Sequence, residues 1–186
     1  MKLRSSRILL MASVAVFGLS ACKASKEGEI KTWTANATSV TSLSTEYPQF
    51  AALLKARVTA QQKIFDAAKA EKGDDAAKKM EQANKSVHVL LGPLEKYKSK
   101  RARIKKLYND YSVRKNKGHK VRSAREKADK KLQQASELIA AAQPTNDAEM
   151  LKTLADANGY LSEGLQPLER LKKKGSKSKR KKKKRS

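Results

Sequence analysis

The chain has 186 residues, with 43 Lys and Arg against 18 Asp and Glu, a formal net charge of +25. That length suits one ordinary domain, and so basic a balance attracts anionic partners while saying nothing about fold. A single cysteine excludes an internal disulfide framework and any multi-cysteine metal site.

Lys2, Arg4 and Arg7 precede an apolar run from Ile8 to Leu19, interrupted only by Ser13 and Gly18. The run is shorter than the roughly 20 residues that span a bilayer as a helix. A basic start, a short apolar run and small residues before a cut site read as a secretory signal over residues 1–21. The small residues lead directly to the only cysteine, as Leu19-Ser20-Ala21-Cys22. This stretch resembles the lipobox of bacterial lipoprotein precursors. The resemblance implies a diacylglyceryl group on the Cys22 sulfur, cleavage before Cys22, and a new amino terminus acylated by a fatty chain such as palmitate. It also implies a membrane partner through the anchor and a place in the cell envelope. Lys23 is not the aspartate that holds many such proteins at the inner membrane, which points to the outer one. Without the three basic residues of the signal, the mature chain carries +22. An unlipidated export signal and a cytoplasmic chain with a later start remain open.

Residues 22–45 are rich in Ser, Thr, Ala and Lys without sustained periodicity. They are expected to form a flexible tether, with Trp33 docked loosely or at the bilayer interface. Asn36-Ala37-Thr38 matches a glycosylation sequon by chance.

From Glu46 the pattern turns helical. Phe50, Leu53, Leu54, Val58, Ile64, Phe65 and Ala68 share a face until Lys72-Gly73-Asp74, where Gly73 suits a left-handed cap. The second predicted helix carries a seam through Ala76, Met80, Ala83, Val87, Leu90, Leu94, Tyr97, Arg101, Ile104, Tyr108 and Tyr111. The seam keeps its phase across Pro93, which favours a kink over a break. The third helix uses Val121, Ala124, Ala128, Leu132, Ala135, Leu138, Ile139 and Ala142. Asn146 and Glu149 form a capping-box start for the fourth, which uses Leu151, Leu154, Ala155, Leu161, Leu165 and Leu168. The fold expected is an all-α antiparallel bundle of about four helices over residues 46–171.

Residues 83–98 and 157–172 share seven identities in sixteen positions at an offset of 74, including Pro93 and Pro167. Two copies of a helical hairpin, about 45–100 and 119–174, account for this; coincidence between two Ala/Leu/Lys-rich helices is the alternative.

Charge is concentrated late in the chain. Residues 96–131 hold sixteen Lys and Arg against three acids. The tail carries Lys172, Lys173, Lys174, Lys177, Lys179, Arg180, Lys181, Lys182, Lys183, Lys184 and Arg185 without one acid. Lacking apolar residues after 171, it is expected to be disordered over 172–186.

Catalytic chemistry is scarce. His88 and His119 lack ligand spacing, and there is no Gly-rich phosphate loop, nucleophile elbow or Cys/His cluster. Glu95 and Glu169, equivalent in the repeat, read as first-turn charges beyond a kink. No catalytic residue, metal site or cofactor is expected. The sequence therefore suggests a non-catalytic, lipid-anchored module that binds an anionic surface: phospholipid, lipopolysaccharide, wall polymer or acidic protein. Two alternatives stand beside it. One is a non-specific nucleic-acid binder, disfavoured if the chain is exported; the other is a helical scaffold for a protein partner. Short turns between antiparallel helices would put the tether, the 113–118 connection and the basic tail at one pole.

Overall fold

The computed structural model describes residues 25–113 and 118–183, without the side chains of residues 74, 112, 113 and 173–183. It is an all-α antiparallel bundle, and five helices rather than four are present among the described residues. These are α1 (Lys26–Glu46), α2 (Ala51–Ala70), α3 (Asp74–Val113), α4 (His119–Ala140) and α5 (Asp147–Lys183), with a 3-10 turn at Pro48–Phe50.

The additional helix, α1, occupies the stretch expected to be a tether. Ser25 caps it by accepting from the Gly28 N–H at 3.1 Å, and Glu27 and Glu29 favour its positive end. Its polar residues do not need water. Thr32, Thr34, Thr38, Thr41 and Thr45 each donate a hydroxyl to the carbonyl four residues back. Its sparse apolar residues are spent on one stripe, where Trp33, Val40 and Leu43 are buried. Trp33 is thus a core residue. It stacks on Phe65 at 4.5 Å between centroids and donates from Nε1 to Gln62 Oε1 at 3.0 Å.

Gly73 makes the turn into α3 with φ of 101°, as its place after α2 anticipates. α3 then runs unbroken through Pro93. A proline in a helix interior costs about 3 kcal/mol, but Leu90, Leu91, Leu94 and Tyr97 are all buried on either side of it. That packing keeps the helix continuous across Pro93. The start of α5 is capped as expected. Asn146 Oδ1 accepts from the Glu149 N–H at 3.0 Å, while Glu149 reaches back to the Thr145 N–H at 2.7 Å.

The helices form two three-helix units that share α3. The upper unit joins α1, α2 and the first half of α3; the lower joins the second half of α3, α4 and α5. The repeat is accordingly longer than a hairpin. At the offset of 74, Met80, Ala83, Asn84, Val87, Leu91 and Leu94 match Leu154, Ala157, Asn158, Leu161, Leu165 and Leu168, and all twelve are buried. The first helices match at a different offset. Trp33, Val40, Leu43 and Tyr47 stand 64 residues before Tyr97, Ile104, Leu107 and Tyr111, and all eight are buried.

Hydrogen bonds repeat on the same scheme. Asn84 Nδ2 donates to the Glu29 carbonyl at 3.0 Å, and Asn158 Nδ2 to the Pro93 carbonyl at 2.9 Å. Asn36 Nδ2 donates to the Asn84 carbonyl at 3.5 Å, and Lys100 Nζ to the Asn158 carbonyl at 3.0 Å. Glu29 and Pro93, like Asn36 and Lys100, are 64 residues apart. Such agreement between buried polar pairs supports duplication, since each unpaired partner would be costly.

Candidate anion-binding end

The ends of the molecule follow from contacts along α3. Lys26 Nζ, at the start of α1, donates to the carbonyls of Lys69 and Glu71 at 2.8 and 2.6 Å, beside the Gly73 turn. The far end of α1 meets the middle of α3. There Tyr47 lies edge-on to Tyr97 at 5.9 Å and Lys98 pairs with Glu46 at 2.6 Å. α5 runs parallel to α3 and further down. Lys100 Nζ donates to Ser162 Oγ at 2.5 Å, and Arg103 pairs with Glu169 at 2.6 Å. From the level of residue 74 to that of residue 103, then along α5 to its end, is roughly 65 Å at 1.5 Å per residue.

This overturns the expected shared pole. The chain enters at the Gly73 end, because α1 carries it the full length of the upper unit, and the basic segments collect at the opposite end. The expected disorder does not hold over residues 172–183, where α5 stays helical; residues 184–186 of that tail lie outside the described residues. Lys and Arg are good helix formers, and extending a packed helix avoids the cost of nucleating one. Of the tail residues singled out above, Lys172 is exposed. Lys173, Lys174, Lys177, Lys179, Arg180, Lys181, Lys182 and Lys183 continue the α5 backbone. Lys184, Arg185, the lipobox and Cys22 lie outside the described residues.

The two units differ sharply in charge. Residues 25–95 hold ten Lys and Arg against nine Asp and Glu, a net +1; residues 96–186 hold 29 against nine, a net +20. Part of the difference is a segment that the upper unit lacks. Tyr47 and Phe50 are three residues apart, and their counterparts Tyr111 and Ala124 are thirteen apart. The ten additional residues fall within a stretch containing Arg114, Lys115, Lys117, Lys120 and Arg122.

Two grooves open in the lower unit. One, of about 260 Å³, lies between the start of α4 and α5 near Pro167. His119, Lys120, Lys127 and Arg170 line it, together with Ser123, and no carboxylate does. The other, of about 550 Å³, runs between α3 and α5 past Lys96, Lys100, Asn158, Gly159 and Ser162. Burial first, then the neighbouring Lys96, holds Lys100 below the usual lysine range. Elsewhere pairing neutralises charge. Lys131 holds Glu163 at 2.7 Å, and that hydrogen bond keeps the Glu163 carboxyl below its ordinary value.

The aromatic rings of this end are already covered. Tyr97 and Tyr111 are buried. The Arg125 guanidinium lies 4.2 Å from the centre of the Tyr108 ring, and Lys131 Nζ lies 4.8 Å from that of Tyr160. Among the described residues, no three His, Cys, Asp or Glu side chains form a group able to hold a metal ion. No described helix is long and apolar enough to cross a membrane.

Sequence reasoning located the late basic segments and missed the groove lined by Lys120, Lys127 and Arg170, because only folding brings α4 and α5 together. Asn84 and Asn158 fall among the seven identities of the repeat, and that match is the signal by which their buried positions could have been found. Comparison with family models, with curated proteins and with solved structures finds no match to this chain.

Proposed function

We propose that this chain is a lipid-anchored, non-catalytic spacer of the cell envelope. It is held through Cys22 at its neutral end and binds an anionic surface with its basic end. The reading joins the lipobox-like Leu19-Ser20-Ala21-Cys22 to one geometric observation. The described chain begins at Ser25 beside the Gly73 turn, while the second half of α3, the start of α4 and the end of α5, where Lys and Arg are dense in the sequence, run from mid-rod to the other end. An anchor three residues upstream of Ser25 directs the basic end away from the membrane that holds it. The anionic partner is then a second surface or a polymer some 65 Å off, on the helix rise already used.

Charge of this density works at long range and loses strength as salt shortens the screening length. Fatty-acid labelling of cells tests the anchor: the wild type takes the label and Cys22→Ala does not. Equal labelling of both removes the anchor from the account. Deleting residues 172–186 should weaken binding to anionic vesicles or polymers and leave neutral vesicles unaffected.

A further inference from the structure

We infer that the partner of the basic end is a flexible linear polymer of phosphates, bound by wrapping across the outer faces of α3, α4 and α5. This deepens the anion-binding reading above and rests on it. Three observations carry it. First, exposed cations stand on all three helices: Lys105 and Lys106 on α3, Arg122 and Lys130 on α4, Arg170 and Lys172 on α5. A plane laid against a three-helix bundle meets two helices at once, so a flat bilayer leaves a third of this charge unused. A flexible chain reaches every face.

Second, the groove between α4 and α5 gathers Lys120, Lys127 and Arg170 around about 260 Å³ with no carboxylate in its lining. That space accommodates a phosphate group, and Arg with Lys is the usual pairing for one. Third, the open stacking surfaces that single-strand binders offer to bases are missing here. Tyr108 and Tyr160 are each capped by a cation, and Tyr97 and Tyr111 are inside. Recognition is therefore of the phosphate backbone, and a base contributes nothing.

The test uses a chain starting at residue 22 with Cys22→Ser, which retains every described residue. Its binding is measured to a labelled abasic phosphodiester oligomer, to oligothymidylate of equal length, to long-chain inorganic polyphosphate and to phosphatidylglycerol vesicles at matched phosphate. Wrapping predicts that K105E with K106E, and separately K120E with K127E, each weaken oligomer binding by roughly tenfold or more, with a shallower salt slope. The matching Lys→Gln pairs should weaken it less, with helicity unchanged. Abasic and base-bearing oligomers should bind alike, and vesicles more weakly than either.

Wrapping is overturned if only one face matters, if vesicles bind more tightly than the polymers, or if deleting 172–186 abolishes binding while both reversals are neutral. A strong preference for oligothymidylate over the abasic chain overturns backbone recognition. Loss of binding to all four probes would instead sink the anion-binding reading itself.

Discussion

The upper and lower units place buried side chains at matching positions, yet one is nearly neutral and the other carries +20. The difference separates what a bundle needs from what its surface does. Inward positions keep their apolar character and their paired Asn residues, because voids and unpaired buried groups are expensive. Outward positions are free of that constraint. The lower unit fills them with Lys and Arg, and extends the connection between its first two helices with more of the same.

The harshest way to break the comparison is a cavity where the units share a helix. Leu94→Ala removes a fully buried side chain from the part of α3 that both units use, and should cost about 3–4 kcal/mol. Its counterpart Leu168→Ala should cost about 3 kcal/mol. Urea unfolding should show one cooperative transition for each variant; two resolved transitions would mean that the units fold separately.

The alkaline limb of stability comes next. Burial first, then its hydrogen bond to Glu46, pushes the Tyr47 hydroxyl up to about 12. A raised value stabilises the fold fully below the ordinary tyrosine range near 10, and that contribution disappears as pH rises toward 12. About 2 kcal/mol should be lost over this window in the wild type and absent from Tyr47→Phe, as unfolding at stepped pH would show.

The buried amides sharpen the comparison. Asn84→Ala and Asn158→Ala should each cost about 1–2 kcal/mol. Asn84 should cost more, since it also donates to the Glu29 carboxylate at 2.8 Å and accepts from Asn36 at 3.1 Å. Asn158 makes two bonds to backbone carbonyls.

The smallest effects distinguish two glycines of α5. A methyl at Gly159 meets nothing within 4 Å, so Gly159→Ala should raise stability by about 0.5–1 kcal/mol in thermal unfolding. At Gly164 a methyl would come within 3.1 Å of Lys131 Cβ and 3.4 Å of the Ala128 carbonyl oxygen. There the crowding should cancel the gain, because α4 and α5 approach closely over that position.

The helices with dense apolar seams were legible. α3 could be read through Pro93 because its period never lost phase, and the Asn146–Glu149 cap was plain from spacing. α1 was hidden by composition. Five Thr residues look like solvated chain until their hydroxyls are seen to turn back onto the helix. Without α1, the offset of 64 had no first member and the repeat shrank to a hairpin. The same omission put the start of the packed chain at the wrong end, so the basic segments were expected beside it rather than opposite. The groove lined by His119 and Arg170 was beyond sequence, since its walls are 51 residues apart.

Sharing a helix is a recipe for growth, because the last helix of one unit opens the next. By that recipe α5 beyond Pro167 begins a third storey. The places where Tyr97, Ile104, Leu107 and Tyr111 would find their counterparts are Leu171, Ser178, Lys181 and Arg185. One oily residue is followed by three that refuse to be roofed over. That stretch of sequence therefore lacks the oily stripe on which a third floor would be laid.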